Sequence, residues 1–412
     1  MTPPRGRPAP PVRDVLVVGG GPAGAATAIL AARAGLDVLL VDRAAFPREK
    51  PCAECINSEA TRDLADLGVL GEIEAEAPPH LAGMRIVSDD GAAVTGLYDR
   101  DAGDAPPAIY GLAVPRTVLD TALVRAAARA GAEVRERTAV ERLIVEHGLV
   151  CGAVVRRHGE RREERSRVVV GADGLNSLVA RDLGLARGGR PRRLALAAHL
   201  AGVGGLGACG EMFCGRGWYV GIAALGGGVA SAAMVVPLAD SRAIAQDREG
   251  YFRARLASLP ELAARTAHAG IVREILVTGP FARSTRSAVA DGALLVGDAA
   301  EFYDPFTGEG VFAALRGGRL AAAAIVSALE CGGAASRERL APYAVARRRV
   351  FRDKRVLERV AGFSATRPAL MRRFTRRLGT RPGVADLWVG AAGGRVPVRT
   401  LFTPGHLAAV LF

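Results

Sequence analysis

The amino-acid sequence predicts an α/β fold in which a nucleotide-binding domain is interrupted by an antiparallel sheet and followed by a helical C-terminal segment. Three observations predict it. A buried apolar run at 15–18 leads through a glycine-rich turn into an Ala-rich helix and a second strand. Another strand that ends in Gly-Asp appears at 293–298. Between these two units, residues 194–236 combine many glycines with short apolar runs, which is typical of a sheet with tight hairpins.

The N-terminal unit has the order and spacing of a Rossmann-like dinucleotide-binding motif. Its first strand, glycine turn, helix and second strand are expected at 15–18, 19–24, 23–34 and 37–41. Gly19 permits the tight turn, Gly21 lets a pyrophosphate approach the backbone, and Gly24 allows close contact between helix and strand. Asp42 ends the second strand, where its carboxylate is able to accept hydrogen bonds from a ribose. The unit therefore predicts a nucleotide site.

The rest of the chain is expected to form short strands and amphipathic helices. We expect strands within 81–98, 134–145, 168–170, 271–278 and 293–296, and helices at 118–130, 246–262, 310–329 and 337–378. The corresponding domains are a discontinuous nucleotide-binding domain at 14–80, 113–190 and 281–330, a substrate-binding sheet domain at 81–112 and 191–280, and a basic helical segment at 331–412. Residues 1–13 are Pro-rich and are expected to be a disordered lead-in.

Composition and charge exclude several classes of protein. Half of the residues are hydrophobic and 24% are charged, so the chain is expected to bury a core and not to be disordered. The formal net charge is +13, but residues 337–381 alone hold 15 Lys and Arg against three acidic residues. The basicity thus belongs to one segment, and no nucleic-acid recognition motif accompanies it. No nucleic-acid partner is expected.

The cysteine content and the N-terminal sequence indicate the compartment. Six cysteines in 412 residues are too few for a disulfide scaffold. The N-terminus lacks the apolar stretch of a signal peptide, and no run of 18 or more apolar residues suggests a transmembrane helix. We therefore expect a cytoplasmic protein that is soluble or associated peripherally with a membrane.

Three motifs, taken together, resemble the FAD-dependent oxidoreductase superfamily with the p-hydroxybenzoate-hydroxylase-like fold. They are the glycine turn at 19–24 with its acidic residue, the GADGLNS sequence at 171–177, and the GDAA sequence at 297–300. Their order and spacing match that superfamily over roughly residues 14–330. The resemblance implies that FAD is the cofactor and that these residues contact it: Gly19, Gly21, Gly24, Asp42, Arg43, Arg116, Asp173, Gly174 and Asp298.

Two further segments resemble the geranylgeranyl-reductase-like branch of this superfamily. Residues 46–52, FPREKPC, resemble its FPRxKxC segment, and residues 304–310, DPFTGEG, resemble its DPxTGEG segment. The resemblance implies that Pro305, Gly308 and Gly310 lie against the flavin, where the following helix directs its N-terminus at the charge of the reduced ring. Phe312 stands where the aromatic hydroxylases usually have an Asn. The WxWxIP sequence of the halogenases is missing.

The resemblance implies one main activity and leaves an alternative open. The main hypothesis is an FAD-dependent reductase that transfers hydride to a C=C bond of an isoprenoid, a quinone or a similar hydrophobic molecule. The alternative is a flavin-dependent monooxygenase that hydroxylates an aromatic or polyketide substrate through a C4a-hydroperoxide. A second GxGxxG motif is missing, so NAD(P)H is expected to act as a transient electron donor over the flavin.

Cys52 and Tyr303 are the candidate catalytic residues, and Trp218 and Tyr219 are the candidate substrate-binding residues. Cys52 is a candidate proton donor, although a small buried apolar role fits it equally well. The CxxC formed with Cys55 allows a redox pair or half a zinc site, but no suitably spaced His accompanies it, so no metal is expected. His199 shows no ligand spacing and is expected to be structural.

The C-terminal basic segment has an amphipathic pattern. Val350, Phe351, Leu357, Val360 and Phe363 recur at three-to-four-residue spacing among many arginines. Such a helix either covers the protein core or lies on an anionic membrane surface. Both interpretations stay open at this stage.

Overall fold

The computed structural model describes residues 12–100, 109–187, 192–330, 332–333 and 335–406. The predicted lead-in, 1–13, lies outside these residues except for its last two positions. The strands are β1 (Arg13–Val18), β2 (Val38–Val41), β3 (Cys55–Ile56), β4 (His80–Leu81), β5 (Gly83–Val87), β6 (Ala93–Leu97), β7 (Gly111–Ala113), β8 (Glu133–Arg135), β9 (Thr138–Glu146), β10 (Leu149–Arg157), β11 (Glu160–Gly171), β12 (Ala186–Arg187), β13 (Arg193–Ala201), β14 (Cys209–Cys214), β15 (Tyr219–Gly226), β16 (Val229–Pro237), β17 (Gly270–Thr278), β18 (Arg283–Thr285), β19 (Val289–Ala290), β20 (Ala293–Leu295) and β21 (Glu301–Phe302). The α-helices are α1 (Pro22–Arg33), α2 (Ser58–Asp66), α3 (Leu70–Glu74), α4 (Arg116–Arg129), α5 (Leu178–Asp182), α6 (Ser241–Gln246), α7 (Arg248–Ala257), α8 (Pro260–Thr266), α9 (Gly310–Glu330), α10 (Arg337–Ser364), α11 (Pro368–Gly379) and α12 (Pro382–Ala392).

The first sheet is the parallel core of the nucleotide-binding unit. Its strand order is β19-β20-β11-β1-β2-β8, parallel except for the antiparallel pair of β19 and β20, and β1 lies between β11 and β2. The four residues at 15–18 are buried, as expected for a parallel strand that is covered on both faces. The three strands that precede the glycine turn, GADG and GDAA thus lie side by side, and their C-terminal ends meet at one edge. This confirms the predicted Rossmann-like domain.

Helices cover the core sheet and contact one another closely. Gly318 of α9 lies against α1, where an added Cβ would be 2.8 Å from the Ala23 carbonyl oxygen. By length and composition alone α9 could cross a membrane, but 61% of its apolar window is buried within the protein. The core helix of a globular domain has the same features.

The second sheet has seven strands, in the order β17-β13-β16-β15-β14-β5-β6. It is antiparallel except where β14 pairs with β5 in parallel. Residues of alternate parity face opposite sides. One face, which we call the outer face, carries Leu196 and Met234 and packs against α7 and α8. The other, the inner face, carries Ala195 and Val235.

The helical C-terminal segment is attached to both sheets. Helix α10 packs on α9, whereas α11 and α12 pack on β6 at the edge of the second sheet. The Asp386 carboxylate of α12 accepts a hydrogen bond from the Leu97 amide at 2.7 Å, which pairs an edge-strand donor. These contacts confirm the predicted helical C-terminal segment.

Two sequence-based expectations differ from the structure in detail. The single helix expected at 246–262 is instead α6, α7 and α8, because Asp247 and Pro260 start new helices; Asp247 accepts the Gly250 amide as an N-cap. Strand β10 was not expected. It pairs with β9 and β11 into an antiparallel extension of the core sheet.

Candidate active site

The glycine turn after β1 packs directly against the GADG turn after β11. Gly19 has φ +106°, and a Cβ there would lie 2.4 Å from the Ala172 carbonyl oxygen. A Cβ on Gly24 would lie 1.9 Å from the Gly19 carbonyl oxygen. Both positions therefore need glycine, since any side chain would displace backbone. Gly21 begins α1 as its N-cap residue and borders the cationic cluster described below.

Asp42 holds the glycine turn from the end of β2. Its two carboxylate oxygens accept hydrogen bonds from the Gly20 amide at 2.7 Å and from the Ala44 amide at 2.8 Å. The residue is buried, with 8% of its surface exposed, whereas the neighbouring Arg43 is exposed. Asp42 is thus placed as a ribose-binding acid would be. Contact of either residue with the nucleotide stays a prediction.

Asp173 has one carboxylate oxygen in use and one free. Its Oδ2 accepts hydrogen bonds from the Leu178 and Val179 amides, at 2.6 and 3.3 Å, which caps α5. Its Oδ1 is buried and has no hydrogen-bond partner among the described residues. Burial raises the pKa of Asp173. Gly174 follows with φ +79°, a conformation that favours glycine.

A cationic cluster lies beside the glycine turn. Arg116, at the start of α4, forms a two-point ion pair with Asp120 at 2.9 and 2.8 Å. Arg48 also contacts Asp120, at 3.0 Å, and its Nη2 would be 3.3 Å from a Cβ on Gly21. Burial, followed by the charge of Arg116, lowers the pKa of Lys50. Arg116 is therefore already held by a carboxylate, and Arg48 and Lys50 add positive charge.

These groups fit the FAD implied by the resemblance. The buried Arg48 Nε, like Asp173 Oδ1, has no partner among the described residues. A free donor and a free acceptor on either side of the glycine turn suit a ligand that carries phosphates and hydroxyls. Arg48 and Lys50 are absent from the predicted site residues. The sequence signal for both is the FPREKPC segment, which places two positive charges shortly after β2.

The third motif and the loop after it complete the expected flavin site. Asp298 borders a cavity of about 80 Å³ that Asn176, Ser177 and Thr285 also line. Gly308 has φ +67°, and both Gly308 and Gly310 are exposed, with no atom within 4 Å of where a Cβ would stand at either position. Open space in front of two glycines at the start of α9 leaves room for a flat ring. Contact of Asp298, Pro305 and these glycines with flavin stays a prediction.

Cys52 lies in a loop that a buried glutamate ties to the second sheet. The Glu54 amide donates to Cys52 Sγ at 3.3 Å, and Glu54 has φ +59°, which is unusual for a residue with a side chain. Its carboxylate accepts hydrogen bonds from the Arg116 amide at 3.1 Å and from Arg273 Nη1 at 3.3 Å. It also lies 2.6 Å from His199 Nε2.

His199 was expected to be structural, and the sequence did not indicate its contact with the Glu54 carboxylate. Glu54 and His199 are 145 residues apart, so their pairing depends on the sheet register and no local pattern indicates it. Cys55 is different from Cys52: its thiol donates to the Ala53 carbonyl at 3.4 Å, and burial raises its pKa to about 12. A thiol that stays protonated is a poor partner for redox exchange.

The structure separates the four predicted aromatic and thiol residues. Tyr219 lies on the inner face, donates to Asp304 Oδ1 at 2.6 Å, and meets the Phe306 ring edge-on at 5.0 Å. Trp218 is next in sequence and therefore lies on the outer face, where it packs in the core formed with α7 and α8. Tyr303 is 40% exposed and lies 5.7 Å from Arg359. Of these three aromatic residues, Tyr219 is the one that lies on the inner face and contacts the loop before α9.

Asp304 connects this inner face to α10. Its Oδ2 pairs with Arg193, and its amide donates to Glu358 Oε1 of α10 at 2.8 Å. Burial, then the neighbouring carboxylates of Glu309 and Asp304, raise the pKa of Glu358 to about 8. Lys354, one turn earlier, contacts Glu309 at 2.6 Å. Helix α10 thus holds the loop that precedes α9.

Comparison with known families agrees with this geometry. The family described as "FAD binding domain" matches residues 13–358. The chain belongs to this family. It is an FAD-dependent oxidoreductase.

Named relatives and solved structures extend the comparison. The digeranylgeranylglycerophospholipid reductase of Methanosarcina acetivorans is 32% identical over 330 residues, 78% of this chain and 77% of that protein. The enzyme of the same name from Methanothermobacter thermautotrophicus is 32% identical over 345 residues, 80% and 81% of the two chains. These reductases support the predicted reductase branch.

Two solved structures share the fold. A geranylgeranyl bacteriochlorophyll reductase-like protein from Thermoplasma acidophilum has a TM-score of 0.75 and 24% identity, over 95% of this chain and 98% of that one. The myxobacterial chondrochloren halogenase, an FAD-dependent halogenase, has a TM-score of 0.77 and 26% identity, over 84% and 80%.

Proposed function

We propose that this FAD-dependent oxidoreductase reduces a C=C bond in the isoprenoid chain of a lipid-like molecule. The observation that carries the proposal is the 32% identity, over about four fifths of the chain, to enzymes named digeranylgeranylglycerophospholipid reductases. The DPFTGEG and FPREKPC segments, which suggested the same branch, lie at the loop before α9 and in the loop that ends at Cys52. Both loops border the inner face of the second sheet.

The inner face supports a long apolar substrate. Its strands present small side chains in the middle, namely Ala195, Ala197, Gly221, Ala223 and Ala233. Aromatic residues close one end, namely Tyr219, Phe281, Phe302 and Phe306. Met371 of α11 packs with them. A strip of alanine and glycine with bulky residues at one end leaves space for a chain of methyl-branched units.

The chain's own residues hold the reactants and supply a proton. When bound and reduced by NAD(P)H, FAD would supply a hydride to the substrate carbon. Tyr219 and Arg193 hold Asp304 and so fix the loop that leads to Gly308 and Gly310. The Cys52 thiol is the candidate acid: the Glu54 amide donates to its sulfur, and the Glu54 carboxylate ties this loop to His199 of the second sheet. Hydride to one carbon and a proton to the other convert C=C to C–C, and Cys52 recovers its proton from solvent.

NAD(P)H is the proposed electron donor, binding transiently. The part of the chain that the structure describes forms one glycine-turn unit of the dinucleotide type, at β1 and α1, and Asp42 completes it. Since this unit is assigned to FAD, a nicotinamide would have to approach the flavin from the open side of Gly308 and Gly310.

We also propose that α10 and α11 hold the enzyme against an anionic membrane that supplies its substrate. Exposed apolar side chains alternate with exposed arginines on the outward side of these helices. The apolar members are Val345, Val356, Val360, Phe363 and Leu370, and the arginines include Arg348, Arg349, Arg352, Arg359, Arg373 and Arg377. Apolar anchors interspersed with cations suit the surface of an anionic bilayer.

An anaerobic turnover assay tests the proposed reaction. The holoenzyme, an isoprenoid quinone and dithionite or NAD(P)H are mixed without O2, and products are followed by mass spectrometry. The proposal predicts saturation of isoprenoid double bonds at an undiminished rate. Product that forms only when O2 is admitted, with an added oxygen atom, would establish the monooxygenase alternative instead.

A further inference from the structure

Three side chains from neighbouring strands form a polar row on the inner face of the second sheet. Arg273 of β17 is paired with His199 of β13, and His199 is paired with Ser231 of β16. Directly opposed residues of antiparallel strands point to the same side. His199 shares the parity of Ala195, and Ser231 that of Val235, both of which face inward. Arg273 reaches the same side, since it contacts the same glutamate as His199.

The row interrupts a face that is otherwise small and apolar. Ala197 and Ala233 lie one step along the strands toward the aromatic end, and Ala223 is the other cross-strand neighbour of Ser231. Ala223 in turn packs with Cys55 of the Cys52 loop. The polar row therefore lies at the end of the apolar strip that borders this loop.

The row contains three buried polar atoms that have no partner among the residues that the structure describes. They are Ser231 Oγ, Arg273 Nε and Arg273 Nη2. Ser231 is 1% exposed, and the Arg273 side chain is 10% exposed, so neither group is simply solvated at the surface. Buried donors are nearly always paired in folded proteins, because leaving them unpaired is unfavourable. The cluster therefore indicates a bound group that supplies an acceptor.

The charge of the row is already balanced. Arg273 Nη1 contacts Glu49 at 2.9 Å and Glu54 at 3.3 Å, and the latter carboxylate also pairs with His199. A second anion at Arg273 would lie close to the buried Glu54 carboxylate and would be repelled by it. The free donors consequently favour an uncharged oxygen over a phosphate.

We propose that Arg273 and Ser231 bind an uncharged oxygen, a carbonyl or a hydroxyl, on the head of the substrate. This subsite deepens the proposed function and depends on it. Arg273 provides two N–H donors to the oxygen, and the Ser231 hydroxyl donates to it or accepts from it. The isoprenoid tail then extends along the alanine strip toward Tyr219 and Phe306. The row thus sets which end of the substrate enters and which double bond reaches the flavin.

Ligands that share one tail and differ in the head test this subsite. Geranylgeranial, geranylgeraniol, geranylgeranyl monophosphate and the corresponding hydrocarbon are titrated into oxidised holoenzyme, and binding is followed by the flavin difference spectrum. The aldehyde or the alcohol should bind at least about tenfold more tightly than the phosphate. The aldehyde is favoured if the arginine donors dominate, and the alcohol if Ser231 accepts from it.

Variants locate the effect. Ser231→Ala should raise Kd for the oxygen-bearing ligands about three- to tenfold and leave the hydrocarbon unchanged. Arg273→Met should raise the Kd for the oxygen-bearing ligands further. Ser166→Ala is the matched control, because it removes another buried, unpartnered hydroxyl from β11, outside the inner face. If Arg273→Met does not fold, the comparison of Ser231→Ala with Ser166→Ala still tests the subsite.

Several outcomes would overturn the subsite. If geranylgeranyl monophosphate binds most tightly of the four ligands and Arg273→Met abolishes that binding, the row is an anion site. Equal effects of Ser231→Ala and Ser166→Ala, or an unchanged ligand affinity in Arg273→Met that retains its flavin, would assign the free donors elsewhere. Ligands that bind in the expected order and yet are never reduced without O2 would contradict the proposed reaction and leave the subsite intact.

Discussion

Replacing Glu54 by glutamine tests the link between the Cys52 loop and the second sheet. The Glu54 side chain is fully buried and contacts the Arg273 guanidinium, His199 and the Arg116 amide. Glutamine keeps the shape and one acceptor oxygen but leaves Arg273 without its buried counter-charge. Removing one partner of a buried ion pair costs about 3–5 kcal/mol, and the retained acceptor places Glu54→Gln near the lower value, about 3 kcal/mol.

Glu49 provides a control on the same nitrogen. Its carboxylate lies 2.9 Å from Arg273 Nη1, but 46% of its side chain is exposed, so water screens the pair. Glu49→Gln should therefore cost about 0–1 kcal/mol. The assay is urea unfolding of the holoenzyme, followed by circular dichroism and flavin release. The double variant Glu54→Gln/Arg273→Met should lose less unfolding free energy than the sum of the losses in the two single variants.

The pH dependence gives an independent check on Glu54. Burial opposes ionisation, but the hydrogen bond and charge of His199, together with the Arg116 amide and the charge of Arg273, outweigh it and lower the pKa of Glu54 below its ordinary 4.5. A carboxyl with a lowered folded-state pKa stabilises the fold above its unfolded pKa and loses that effect as pH falls through the folded value. The advantage of the wild type over Glu54→Gln should therefore begin to decline as the pH falls below 4.5 and should be lost once the pH has passed the lower folded-state pKa. Equal costs for Glu54→Gln and Glu49→Gln at neutral pH would refute the reasoning.

Three further predictions concern the glycine turn after β1, Glu358 of α10, and the outward side of α10 and α11. Gly24→Ala places a Cβ 1.9 Å from the Gly19 carbonyl oxygen and should lower flavin content about tenfold or more, measured by absorbance, whereas Gly71→Ala, with open space around it, should not. Glu358 has a folded-state pKa of about 8, so the wild type should lose stability as the pH rises from 4.5 to 8. The melting temperature of Glu358→Gln should depend less on pH over that range. Parallel curves of melting temperature against pH for the two proteins would contradict the assignment. Phe363→Ser should reduce sedimentation with phosphatidylglycerol vesicles, whereas Val272→Ser, at a similarly exposed valine of β17, should leave it unchanged; equal losses would argue against the proposed face.

The sequence predicted the parts of the fold that depend on local patterns. The strand, glycine turn and helix at 15–33 follow from residues that are adjacent in the chain, and the structure places them as expected. The helix expected at 246–262 was wrong in its continuity, because Asp247 and Pro260 favour helix starts that a hydrophobic period alone does not reveal. β10 was missed, since residues 149–155 show no alternation of apolar and polar side chains and include Gly152.

The candidate site depended more on pairing between distant segments. Trp218 and Tyr219 were both predicted to bind substrate, but consecutive residues of a strand face opposite sides, so one ring lies on each face of the sheet. Which face each ring occupies depends on the register of the whole sheet. Glu54 and His199, or Ser231 and Arg273, meet only through the register of β13, β16 and β17. The basic segment had two interpretations, and the structure gives α10 both a buried side that contacts the loop at 304–309 and an exposed side of valines and arginines.

A single-turnover experiment tests the central claim most directly. Chemically reduced holoenzyme is mixed, without O2 and without any other reductant, with a geranylgeranyl lipid in deuterated buffer. The account predicts that reoxidation of each flavin yields one product molecule that has gained two hydrogen atoms, both of them deuterium, because the N5 hydrogen of the reduced flavin and the thiol hydrogen of Cys52 both exchange with solvent. A reduced flavin that stays reduced beside bound lipid, or reoxidises only when O2 enters, would contradict it.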